Sequence, residues 1–209
     1  ESAAEVLAGD ASVPALRMAA VAKEASRDYL ETVYISLTTF SSSPDAPAFE
    51  SAYFGGDAQQ QTQRMADIAG FYRAFGVDST DGGFRPDELP VELEFMAYLC
   101  RKEAYAEEHL GAPRAGQTRK AQRLFLEEHL GRWGAAFGRR VASQAPAGHF
   151  YQLAGETLSY WVLHECSSAG VTPVEVSGDT SRHWPQPISH GPEFAGDASF
   201  VPMEELAVR

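Results

Sequence analysis

The sequence predicts an all-α protein, a single bundle of six or seven helices. Apolar residues recur at i, i+3, i+4 and i+7 in successive windows. Clusters of Pro, Gly, Ser and Asp separate those windows. No stretch alternates apolar and polar side chains as a half-buried strand would, apart from the short VTPVEV at 171–176. With 209 residues the chain is long enough to bury a core without staples.

The elements follow in chain order. Residues 1–12 are small and acidic and read as a lead-in. Ser12 can cap a helix and Pro14 suits its first turn. Leu30, Val33, Tyr34 and Leu37 continue one apolar face, so a helix is expected to about Thr39, where SSSPDAP (41–47) stops it. A short helical stretch is predicted at Phe49–Phe54. The next helix covers about 59–75, with Met65, Ile68, Ala69, Tyr72 and Phe75 on one face and Gly76 at its end. Pro86 and Pro90 bracket the start of another, whose stripe is Leu89, Leu93, Met96 and Cys100, widened by Phe95 and Leu99. It should end near Leu110-Gly111.

GAPRAGQ (111–117) reads as a linker and hinge, with Thr118 as the next cap. The following helix, to about Ser143, carries Leu126, Leu130, Trp133, Phe137 and Val141 on one stripe. After APAG (145–148), a helix over about 149–168 turns Phe150, Leu153, Ala154, Leu158 and Trp161 inward, and Gly170 fits its C-terminal cap. Residues 171–209 hold five prolines and little periodicity. The expected organisation is a lead-in at 1–12, a helical domain at 13–170 and a Pro-rich arm at 171–209.

Composition narrows the function classes. There are 17 basic and 29 acidic residues, a net charge of -12 and a pI near 4.9. An acidic chain lacks the basic surface on which nucleic-acid binding and docking on anionic lipid depend. No apolar run reaches the roughly 20 residues that span a bilayer, and the first residues carry neither a basic n-region nor an apolar h-region, so no secretory signal is expected. Cys100 and Cys166 are the only cysteines. They form no CxxC pair and point to a reducing, cytoplasmic setting.

Catalytic parts are missing from the sequence. It has no phosphate-binding GxxxxGK[ST], no GxGxxG, no GxSxG and no HExxH. Glu107-Glu108-His109 and Glu127-Glu128-His129 lack the Glu-x-x-His spacing of a di-iron bundle. His164, Glu165 and Cys166 are successive helix positions about 100° apart, which cannot converge on one ion. The expectation is therefore a binding protein, with no enzyme activity, cofactor or metal. The competing reading is a helical cofactor-binding protein or enzyme of unknown reaction.

Specificity comes from four pieces in order, one of them a pair of segments. Phe71-Tyr72-Arg73-Ala74-Phe75-Gly76 is followed, after a polar loop, by Pro86-Asp87-Glu88-Leu89-Pro90-Val91-Glu92-Leu93-Glu94-Phe95-Met96. Further on come Gln122-Arg123-Leu124-Phe125-Leu126-Glu127-Glu128-His129-Leu130-Gly131-Arg132-Trp133 and then Phe150-Tyr151. Upstream, Ser51-Ala52-Tyr53-Phe54 adds an aromatic pair. Together they resemble the TorD/DmsD/NarJ family of chaperones dedicated to molybdenum enzymes, over roughly residues 30–166. The nearest likeness is to the branch serving dimethylsulfide or ethylbenzene dehydrogenases and chlorate or selenate reductases. The position after Pro-Asp that carries His in that family is Glu88 here, which accepts hydrogen bonds and attracts cations but offers no imidazole.

The resemblance implies a cytoplasmic chaperone that binds the N-terminal or twin-arginine signal segment of a molybdopterin-containing catalytic subunit and assists its assembly. It also implies that halves of the chain could exchange across the hinge, although a monomer is the expected state. Read from the residues, Asp87 can cap a helix and Glu88 lies near the positive end of its dipole. Facing solvent beside Tyr72 and Phe75, these carboxylates would form an acidic rim on an apolar floor, suited to a basic, apolar peptide. The peptide-binding candidates are Tyr53, Tyr72, Phe75, Pro86, Asp87, Glu88 and Glu92.

Overall fold

A computed structural model describes residues 12–38, 46–54, 58–77, 85–174 and Val176. The helices are α1 (Ser12–Glu24), α2 (Arg27–Thr38), α3 (Ala58–Ala74), α4 (Leu89–His109), α5 (Ala112–Phe125), α6 (Gly131–Gln144) and α7 (Phe150–Ser168). A 3-10 turn covers Glu50–Tyr53, and a π-helical segment, Leu126–Leu130, joins α5 to α6 without a break. Among the described residues there is no strand. One isolated antiparallel bridge joins Phe49 to Glu88. The predicted all-α bundle is the fold.

The core begins as an aromatic cluster. Phe71 and Tyr72 of α3, Phe75 just beyond it, Phe95 of α4 and Phe125 of α5 are all buried. Tyr72 and Phe95 lie 4.7 Å apart between ring centroids, Phe95 and Phe125 4.9 Å, and Phe71 and Phe125 5.7 Å. Each buried ring removes a large apolar area from water, worth about 1.5–3 kcal/mol. The edge-to-face and tilted contacts add about 0.5–1.5 kcal/mol per pair. The stripe predicted along the long helix (Leu126, Leu130, Trp133, Phe137, Val141) is buried throughout.

The π-helical segment has a local cause. A methyl group on Gly131 would overlap the Leu126 carbonyl oxygen and sit 2.8 Å from Cys166 Sγ. Only glycine lets the widened turn close against α7.

Several boundaries differ from the sequence expectation. The helix expected over 12–39 is two helices, because Ser26 Oγ accepts from the Tyr29 amide (3.3 Å) and starts α2 afresh. The 111–117 linker shrinks to Leu110 and Gly111. Gly111 takes φ 86°, and Ala112–Gln117 form the first turns of α5. Thr118 is accordingly no cap but a buried mid-helix residue bonded to the Arg114 carbonyl. Cys100 is exposed, because the inward stripe of α4 runs through Glu92, Phe95, Met96 and Leu99. At the end of α7, Gly170 (φ 64°) permits the Val171 amide to reach the Cys166 carbonyl (2.8 Å), as expected of a glycine cap. VTPVEV makes no strand in its described residues, and Val176 donates to the Arg132 carbonyl instead. Of the expected 1–12 lead-in all but Ser12, and of the expected 171–209 arm all but 171–174 and Val176, lie outside the described residues.

Candidate functional site

The Pro86–Glu92 motif is where the sequence placed function, and its surroundings are built by two chain segments. The Glu50 amide donates to the Asp87 carbonyl (2.8 Å), and the Leu89 amide donates to the Ala48 carbonyl (2.9 Å). These bonds lock the 46–54 segment against the start of α4. Tyr72 reaches over from α3 and donates its hydroxyl to the Pro86 carbonyl (2.7 Å).

Asp87 is fully buried. Its carboxylate accepts from Arg85 Nε (2.9 Å) and Nη2 (3.0 Å) and from the Ser51 amide (3.1 Å), while the same Nη2 also bonds Ser51 Oγ (2.9 Å). Arg85 lies over the Phe49 ring at 4.3 Å. Asp87 therefore holds two loops together and does not cap α4; the N-cap position belongs to Glu88.

This corrects the picture of carboxylates facing solvent. Tyr53, Tyr72, Asp87 and Glu92 are 2%, 1%, 0% and 0% exposed, and Phe75 is 7% exposed. Only Pro86 and Glu88 reach the surface in part. The physical reason is that Arg85 folds back over Asp87 and supplies its countercharge from the surface side.

Behind Asp87 lies a second polar group, absent from the residues singled out in the sequence. Glu50, 0% exposed, accepts from Arg64 Nη1 of α3 (2.5 Å) and lies 3.0 Å from Nδ1 of His129 in the π-helical segment. Arg64 is seated 3.6 Å over the Phe54 ring. Glu92, equally buried, receives the indole N–H of Trp133, 3.2 Å from each oxygen. Burial, with Glu50 and Asp87 nearby, holds the Glu92 carboxyl well above the usual range. Burial beside Glu92, Glu50 and Asp87 likewise pushes the Tyr72 phenol up. The signal for this group was present: Arg64 and His129 fall at helical spacing from Ile68 and Phe125, where a charged or polar residue on an apolar stripe needs a buried partner.

The open feature lies on the other side of the same motif. A cleft of about 260 Å³ is lined almost wholly by apolar groups, among them Leu37, Leu89, Leu93, Phe137 and Leu158. Pro90 and Ala48 complete its wall, which joins the motif to the cleft. Tyr34 and Tyr151, 6.0 Å apart, line both this cleft and an adjoining hollow of about 510 Å³ that also contains Arg27 and Glu31. Tyr34, Leu37, Phe137 and Leu158 read as core periodicity in the sequence, and Tyr151 only as part of the Phe150-Tyr151 segment. The unfilled space between them follows from helix angles, which spacing does not encode.

Among the described residues, no group of three or more His, Cys, Asp or Glu side chains could hold a metal ion. No helix there is long and apolar enough to cross a membrane.

Residues 6–139 match the family described as nitrate reductase delta subunit. A perchlorate reductase assembly chaperone protein of Dechloromonas aromatica (strain RCB) is 40% identical over 116 residues, covering 52% of this chain and 50% of that protein. A selenate reductase assembly chaperone protein of Thauera selenatis is 38% identical over 82 residues, covering 37% of this chain and 39% of that protein. The chain thus spans about half the length, or less, of the curated relatives it matches. No solved structure matches it.

Proposed function

Since the chain belongs to the nitrate reductase delta subunit family, we propose that it is an assembly chaperone, not an enzyme. Its client is the catalytic subunit of a molybdopterin-containing reductase. It binds the N-terminal or twin-arginine signal segment of that subunit in the cytoplasm and holds it while the cofactor is inserted. The single observation that carries this reading is the apolar cleft built on the motif helix, whose walls include Leu89, Pro90 and Leu93. A cleft of that size takes two or three apolar side chains of a helical or extended peptide. Glu88, partly exposed and next to Leu89 in the chain, and Glu31 in the adjoining hollow suit the basic residues of such a segment.

Within this proposal the seven candidate residues divide. Pro86 and Glu88 can touch the peptide. Tyr53, Tyr72, Phe75, Asp87 and Glu92 act from behind, by fixing the 46–54 segment and the start of α4. The perchlorate and selenate reductase relatives, named as assembly chaperones, support the client class.

The test is calorimetric titration with a synthetic peptide copying the first residues of a molybdopterin-containing reductase catalytic subunit from the same organism. Leu93→Glu is expected to weaken binding about tenfold or more, the equivalent of losing one apolar anchor. Glu88→Lys is expected to weaken it a few-fold, and less at high salt. Unchanged affinity in Leu93→Glu, with helical circular dichroism intact, would remove the cleft from consideration.

The protein is proposed to act as a monomer. Arg119 of α5 bonds Glu103 (2.7 Å) and Glu107 (2.6 Å) of α4, and Gln122 also bonds Glu103 (2.7 Å), so α5 folds back on its own α4. Light scattering across a wide concentration range should give one mass. A second, dimeric species would instead indicate exchange across Gly111.

A further inference from the structure

Three carboxylates share the interior around the 50–53 turn, and their partners are unequal. Glu50 has the Arg64 guanidinium and the His129 imidazole. Asp87 has the Arg85 guanidinium and a backbone amide. Glu92 has the Trp133 indole, a single neutral donor shared between its two oxygens. Among the described residues, no cation forms an ion pair with Glu92. The groups facing it from the packed elements are Glu50 of the turn, Asp87 of the preceding loop, Arg64 and Tyr72 of α3, and Trp133 of α6.

A carboxylate with no cation of its own, fully removed from water and close to two others, takes up a proton rather than stay charged. We infer that Glu92 is a protonated, neutral acid in the folded protein, and that this neutrality is what lets the 46–54 segment, α4 and α6 pack together around three carboxyl groups. Loss of that proton adds a third negative charge to an interior that already holds Glu50 and Asp87. The strain then falls on the bonds that seal the segment, from the Glu50 amide to Asp87 and from the Leu89 amide to Ala48.

The sign follows from linkage. A carboxyl whose folded pKa is raised binds its proton more tightly when folded. Its contribution to stability is complete below the unfolded value, near 4.5, and is lost as pH rises through the folded value. Burial is the main cause of that rise and Glu50 the second.

Infrared difference spectroscopy of the full chain tests this directly. At neutral pH the wild type is expected to show a carbonyl stretch of a protonated carboxylic acid. That band should titrate away on the alkaline side and be absent in Glu92→Gln. Trp133→Phe, which removes the hydrogen bond to Glu92, should shift its frequency. In parallel, amide hydrogen exchange at Glu50 and Leu89, corrected for intrinsic rates, should accelerate at alkaline pH in the wild type and not in Glu92→Gln. A folded wild type with no such band at neutral pH overturns the inference. So does a band that survives in Glu92→Gln or ignores Trp133→Phe, since the proton then sits on another acid. Should Glu92→Gln not fold, the wild-type titration and the Trp133→Phe shift decide between these outcomes.

Discussion

Glu50→Ala is expected to cost about 3–5 kcal/mol of folding stability, the usual loss when one partner of a buried ion pair is removed. Glu50 is 0% exposed, and the side chains of Arg64 and His129 that it joins are 9% and 5% exposed. Its carboxylate connects α3, the 50–53 turn and the π-helical segment. Alanine takes away the acceptor and leaves a guanidinium charge in a site built to neutralise it. The net worth of the pair is smaller than this loss, because desolvation offsets much of the attraction. Glu50→Gln, which keeps an acceptor of the same shape, should lose less. Urea unfolding followed by circular dichroism measures both. A loss below about 1 kcal/mol for Glu50→Ala, the range of a surface pair, would mean that the site is not sealed from water.

The contrast between Glu50 and its neighbours indicates what could be read in advance. The helices of the core announced themselves through periodicity, because burial of Leu126, Leu130, Trp133, Phe137 and Val141 requires one stripe and spacing alone defines a stripe. The motif residues were also visible, but their direction was not. Asp87 looked like a solvent-facing rim because acidic residues before a helix usually cap it. Its burial depends on Arg85, two residues away, folding over it, and on the Ser51 amide 36 positions earlier. Glu50 and His129 are 79 positions apart, and no local pattern joins them. The break at Ser26 and the helical start at Ala112 were missed for the opposite reason. Ser-Arg-Asp carries too little punctuation to stop a helix on sight, and Gly-Ala-Pro-Arg-Ala-Gly carries enough to hide one. Proline at the first helical positions is a start signal as well as a breaker, and α5 uses it as a start.

Gly155→Leu is expected to abolish cooperative folding, and Gly155→Ala to cost about 1–3 kcal/mol as an overpacked core does. Helices α6 and α7 cross where two glycines face each other. A methyl group on Gly155 would overlap the Gly138 carbonyl oxygen and lie 2.7 Å from the Ala142 nitrogen. One on Gly138 would lie 2.6 Å from the Gly155 carbonyl oxygen and 2.7 Å from Ser159 Oγ. These neighbours are largely backbone, so no side chain can swing aside, and the helices themselves must separate. The separation would also strain the Ser159 hydroxyl bond to the Ala135 carbonyl (2.8 Å). Because Gly155 and Phe137 both line the apolar cleft, any Gly155→Ala protein that still folds should bind the client peptide less tightly. The matched control is Gly116→Ala in α5, where a methyl group meets nothing within 4 Å. That change should raise stability by about 0.5–1 kcal/mol, the helix-propensity difference between the two residues. Thermal melts of the three variants separate the effects: a fall at Gly155 with a rise at Gly116 locates the constraint in the crossing, whereas equal shifts would assign it to propensity alone.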